Sequence, residues 1–82
     1  MAKTPKTLPA REVSARNVRR ARRLKDMSQE ELANQAGVGR AWLSGVESGG
    51  RNITIDNMAL LAQALNVPLR DLVDPEQFKG LD

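Results

Sequence analysis

Apolar residues along this chain recur at helical spacing, and no stretch of useful length alternates with the period of a strand. Residues 10–25 run without Gly or Pro; Val13, Val18 and Ala21 mark a narrow apolar stripe and arginines fill much of the rest. This predicts a first helix beginning just after Pro9 and ending near Asp26. Ser28 opens a second helix, because Ser28 and Glu31 have the spacing of a capping box, in which the serine oxygen accepts from a backbone N–H and the glutamate reaches back. Leu32, Ala33 and Ala36 form its inner face, and Gly37 closes it as a left-handed cap. After Val38 and Gly39 a third helix runs from Arg40 to Ser48 and stops at Gly49 and Gly50. Thr54 caps a fourth, with Asp56 in its first turn and Ile55, Met58, Leu61, Ala62 and Leu65 facing inward; Asn66 ends it. Pro68 begins a short fifth helix, Leu69 to about Val73, and Pro75 stops that. The expected fold is all-α, as one domain over residues 10–74. A flexible basic arm (1–9) precedes it and a loose, short tail (75–82) follows.

Two short helices joined by a glycine-containing turn are the helix-turn-helix arrangement. The stretch from Ser28 to Ser48 meets its requirements in order. Small residues stand where the helices cross (Ala33, Ala36), an apolar residue follows the turn glycine (Val38), and two apolar residues line the inside of the third helix (Leu43, Val46). With Leu43 and Val46 inward, Ala41, Gly45 and Ser48 point outward, and Trp42 and Ser44 lie on the flanks. That outward face is small enough to lie deep in a groove. Glycine within a helix costs about 1 kcal/mol relative to alanine, so Gly45 implies close approach, either by a partner or by another part of its own chain. Glu47 falls next to Val46 near the inner face, where a carboxylate needs a partner. Arg22, beside Ala21 on the inner stripe of the first helix, is the expected one, in a structural ion pair.

From about Asn17 to Val73 the chain resembles the XRE family of helix-turn-helix regulators, the Cro and cI repressor type. Within it, Leu43–Glu47 (LSGVE) followed by Arg51–Thr54 (RNIT) is similar to the controller proteins of restriction–modification systems. The resemblance implies a five-helix lambda-repressor-like domain that binds double-stranded operator DNA. It implies that Gln29 contacts a phosphate and that Arg40 reaches base edges, as arginine suits guanine O6 and N7. Ala41 falls where members often carry a polar residue, and could touch only a thymine methyl. Trp42 matches an aromatic beside the DNA backbone, or else fills the core or a dimer contact. Ser44 and Gly45 match the groove-facing small pair. Ser48, Arg51 and Asn52 match the loop that holds phosphates, although Asn52 could instead order the turn into the fourth helix. Arg22 and Glu47 match the internal ion pair. Family members of this size dimerise through their last two helices, which assigns Leu60, Ala64, Leu69, Leu72 and Val73 to a homodimer surface. RNA polymerase is a further partner for a regulator of this kind.

Charge gives this reading an orientation. The net +3 is the sum of a +8 segment, residues 1–25 with nine bases and one acid, and a −5 segment, residues 26–82 with four bases and nine acids. A polyanion on one side of the fold accounts for the asymmetry. Asp56, Asp71, Asp74, Glu76 and Asp82 are expected on the side away from it. With neither Cys nor His, the chain lacks thiolate and imidazole ligands for a metal, and no serine has a base to activate it. No enzyme, cofactor, metal or small-molecule ligand is expected. No apolar run approaches the roughly 20 residues of a membrane span, and the first helix lacks large apolar anchors, so a soluble cytoplasmic protein is expected. A protein-binding module such as an antitoxin is the competing function. Residues 1–9 and 75–82 offer little apolar surface to cover a partner.

Overall fold

In the computed structural model, which describes residues 8–80, helix α1 (Ala10–Leu24) starts directly after Pro9. It is followed by α2 (Gln29–Ala36), α3 (Arg40–Glu47), α4 (Ile55–Leu65) and α5 (Leu69–Val73), with no strand among the described residues. The local signals hold where they were expected. The Ser28 Oγ accepts from the Glu31 N–H at 3.0 Å while Glu31 Oε1 accepts from the Ser28 N–H at 3.0 Å. Gly37 takes a left-handed conformation (φ 72°) at the end of α2. Thr54 Oγ1 accepts from the Asn57 N–H, and Asn66 ends α4 in the left-handed region that asparagine tolerates.

The core lies where α1, α3, α4 and α5 meet and α2 packs on α3 and α4. It is aliphatic: Leu32, Leu43, Leu61, Leu65, Leu72 and Val18 are fully buried. Each fully buried side chain of this kind contributes roughly 1.5–3 kcal/mol. Among the described residues, four polar or charged ones are buried with this core: Ser14, Asn17, Arg20 and Glu47. Asn17 on α1 is buried, and its side-chain amide donates to the carbonyls of Asp71 (3.1 Å) and Asp74 (2.7 Å). Those carbonyls terminate α5 and have no partner within that helix, so one amide ties the last helix to the first.

Three expectations need correction. Leu72, assigned to the dimer surface, is 0% exposed and sits in the core, because in a helix of only five residues it is the side facing α1 and α4 that buries. Ile55, expected to face inward, is 66% exposed. It is the first residue of α4, and helical side chains tilt toward the N-terminus, so it projects past the packed turn. Residues 75–80 are not a loose tail: they form turns that return Phe78 to the core, where it is 6% exposed. One of two aromatics in the chain thus closes a core otherwise built from aliphatic side chains. Residues 1–7 of the expected arm and 81–82 of the expected tail lie outside the described residues.

Candidate nucleic-acid interface

α2 and α3 are held together from behind by charge. Arg22 on α1 donates through Nε to Glu47 Oε2 (2.7 Å) and through Nη2 to Glu47 Oε1 (2.9 Å), and its Nη1 donates to the Met27 carbonyl (2.8 Å). Hydrogen bonding to Glu47 holds the guanidinium above its ordinary pKa, against the smaller opposing effect of burial. Gln29, the first residue of α2, donates through Nε2 to Glu47 Oε1 at 3.2 Å. Arg19 donates to the Glu47 backbone carbonyl at 3.0 Å, satisfying one of the last carbonyls of α3. One carboxylate and its own carbonyl thereby collect α1, the start of α2 and the end of α3.

This assembly fixes what the outer side presents. Arg40, Ala41, Ser44 and Ser48 are exposed along α3, opposite buried Leu43 and Val46. Trp42 is half-buried and packs against the core, so it braces the helix on its flank. Ser48 donates through Oγ to the Gly45 carbonyl at 2.9 Å. Beside this face runs an open cleft of about 230 Å³ lined by Arg19, Arg22, Arg23, Gln29, Ser44, Glu47 and Ser48. An adjoining cleft is lined by residues that include Arg16, Arg19, Ser48 and Gly49. The +8 segment therefore delivers Arg16, Arg19 and Arg23 to the flank of α3. None of Asp56, Asp71, Asp74 or Glu76 lines either cleft. These three arginines were not singled out from the sequence. Their signal was the arginine spacing along α1, which becomes informative only once α1 is known to pack on α3.

The close approach that Gly45 allows is made by its own chain. A Cβ at Gly45 would stand 2.6 Å from Arg51 Nε, 3.0 Å from its Cδ and 3.1 Å from its Cγ. Asn52 accepts through Oδ1 from Arg11 Nη2, joining the loop after α3 to the start of α1. Of the residues assigned to a dimer surface, Leu60 and Val73 are exposed large apolar side chains. Ala64 and Leu69 are half-buried against the core. A groove of about 480 Å³ opens beside Val73, and its lining includes Ile53, Ile55 and Met58. Among the described residues no group of three or more acids could hold a metal ion, and no helix is long and apolar enough to cross a membrane.

Known proteins share this fold. The family model described as Helix-turn-helix matches residues 18–72. Control protein C.SmaI of Serratia marcescens is 36% identical over 70 residues, 85% of this chain and 83% of that protein. The crystal structure of the hypothetical transcription factor NHTF from Neisseria matches with a TM-score of 0.83 at 40% identity, covering 94% of this chain and 88% of that one. The restriction-modification controller protein C.Esp1396I, solved as a tetramer in complex with its natural 35 base-pair operator, matches with a TM-score of 0.72 at 26% identity. That match covers 82% of this chain and 97% of the controller.

Proposed function

The chain belongs to the helix-turn-helix family, and on that premise we propose that it is a sequence-specific transcriptional regulator of the restriction–modification controller type, binding double-stranded operator DNA as a homodimer. The observation that carries this reading is the outward face of α3. It is exposed, built of small side chains, and flanked by a cleft of arginines at the N-terminus of α2.

In this mechanism α3 enters the major groove. Arg40 reaches guanine O6 and N7 from the start of the helix, where recognition helices contact base edges. Gln29 and the first N–H groups of α2, at the positive end of that helix, take a phosphate. Arg16, Arg19, Arg23, Ser48 and Asn52 surround the face and neutralise or hold neighbouring phosphates. These contacts set register and supply most of the affinity, while base edges supply the sequence preference. Acids of the α4–α5 side stay away from the duplex. Leu60, Ala64, Leu69 and Val73, joined by exposed Ile55, form the surface that pairs two copies. Two recognition helices then meet half-sites about one helical turn, roughly 34 Å, apart. Occupancy of the operator is the regulatory act, carried out in the cytoplasm.

Selection of bound duplexes from a random pool tests this. The expected product is a single half-site motif recovered twice, with centres about one turn apart. A recovered pool indistinguishable from the input would refute it.

A further inference from the structure

We propose that Glu12 is a specificity residue that acts by repulsion: it keeps the DNA backbone out of one of the two clefts beside α3 and so confines the strand to the other. The inference rests on the DNA-binding reading above and deepens it by naming how the strand is placed.

The two clefts are alike in size and unlike in charge. Each has a volume of about 230 Å³, and they share Arg19, Glu47 and Ser48. The first also includes Arg22 and Arg23, and its three arginines and one glutamate give a formal +2. The second also includes Arg16 and Glu12, and its two arginines and two glutamates give a formal zero. Without Glu12 the second cleft would be positive as well.

Glu12 is the one acid of the +8 segment, and it falls on the edge of α1 that faces these clefts. Residues 12, 16, 19 and 23 are spaced by four, three and four, so Glu12, Arg16, Arg19 and Arg23 form a row on one face of the helix. Glu12 ends that row, exposed, where α1 meets the turn after α3. A Cβ on Gly49 would lie 3.8 Å from Glu12 Cγ and 4.0 Å from Ala15 Cβ. Among the described residues its carboxylate has no hydrogen-bond or ion-pair partner. Glu47, the other acid of the clefts, is different: it is buried, and Arg22 binds both its carboxylate oxygens. The charge of Glu47 is answered inside the fold. That of Glu12 is not, and it meets whatever enters the second cleft.

A phosphate at the first cleft meets positive charge and the start of α2. A phosphate at the second meets a carboxylate beside Arg16, and like charges at such range repel. On the operator, base contacts of α3 hold the register that places the strand at the first cleft. On other sequences no base contact holds the register, and the backbone settles wherever its phosphates are neutralised. Glu12 removes one such place. It therefore lowers affinity for non-operator DNA and leaves the operator complex untouched.

Glu12 also stands in the first turn of α1, where a carboxylate favours the helix. That role alone predicts a variant that melts lower and binds DNA no better. Binding is measured by fluorescence anisotropy, across salt concentrations, on the selected operator and on a scrambled duplex, with a melting curve for each variant. Glu12→Gln is expected to bind the scrambled duplex about two- to fivefold tighter, the effect of one exposed charge pair, with a salt slope steeper by about one unit. Its operator affinity is expected to stay that of the wild type. Glu12→Asp keeps the charge and is expected to discriminate as the wild type does. Glu76→Gln removes an equal charge from a residue that lines neither cleft, and is expected to leave both affinities unchanged.

Glu12→Gln that binds scrambled DNA no tighter, or that gains at least as much on the operator, would overturn the inference and leave the DNA-binding reading standing. The same gain in Glu12→Asp or Glu76→Gln would do so too. A wild-type protein with no preference among duplexes would overturn both.

Discussion

Arg22 and Glu47 are joined by two parallel hydrogen bonds in a site that leaves their side chains only 12% and 3% exposed. The pair is structural: it anchors α1 to the last turn of α3, and Gln29 and Arg19 attach to the same residue. Removing one partner strands a buried charge, and breaking a buried pair in this way costs about 3–5 kcal/mol. Arg22→Ala is therefore expected to lower the unfolding free energy by about that amount in urea titrations. A loss below about 1 kcal/mol would place the pair in the class of ordinary surface contacts. Because the Arg22 pKa is raised, its contribution is fully present below the ordinary arginine value and is lost only in stronger alkali. No decline traceable to Arg22 is expected between pH 5 and 10.

Glu31 gives a pH dependence of the opposite sign. Hydrogen bonds from Ser28, first its backbone N–H, hold the Glu31 carboxyl below its ordinary value of 4.5. A depressed folded-state pKa contributes stability above the unfolded value and loses it as pH falls through the folded one. Wild type is expected to melt above Glu31→Gln at pH 7, with the gap in Tm closing as pH is lowered below 4.5. A gap that stays constant to pH 2.5 would mean that the capping carboxylate contributes nothing through its charge.

Leu72 and Leu60 separate folding from assembly. Leu72→Ala opens a cavity in the core and is expected to cost about 2–5 kcal/mol. Leu60→Ser removes an exposed side chain and is expected to leave the melting of the monomer nearly unchanged while weakening self-association in sedimentation equilibrium. Wild-type protein that stays monomeric at tens of micromolar would exclude α4 and α5 as a dimer surface.

Gln29 and Arg40 stand in different parts of the proposed interface. Arg40→Ala is expected to relax preference at one base position, by roughly 1–3 kcal/mol. Gln29→Ala is expected to weaken operator and scrambled DNA alike. Because Gln29 also hydrogen-bonds Glu47, its variant needs a melting curve beside the titration; a binding loss matched by unfolding would assign it to the scaffold alone.

What was legible in the sequence is what is local or periodic. Ser28 and Thr54 start helices, and Gly37 and Asn66 end them, through bonds to near neighbours, and their residue types announce it. Leu43 and Val46 fix the orientation of α3, and Glu47 beside them fixes the need for Arg22. What was not legible depends on residues far apart in the chain. Nothing near Asn17 indicates that its amide will meet carbonyls of α5, and nothing near Arg19 indicates the end of α3. Leu72 and Val73 could not be told apart because α5 is too short to show a period. The openness of the α3 face was read correctly in its outline, yet the occupant of the Gly45 seat was Arg51. The +3 charge resolves in the same way: only the packing of α1 on α3 turns an arginine-rich segment into one wall of a site.

The central claim, that the arginine-flanked face of α3 is a DNA-reading surface, is tested most directly by titrating the wild-type protein against its selected operator and a scrambled duplex over a range of salt. The expected result is a linear fall of log K with log salt on both, with a slope near −0.9 per phosphate neutralised, and tighter binding to the operator at every salt concentration. A flat salt response, or equal affinity for the two duplexes throughout, would contradict the account.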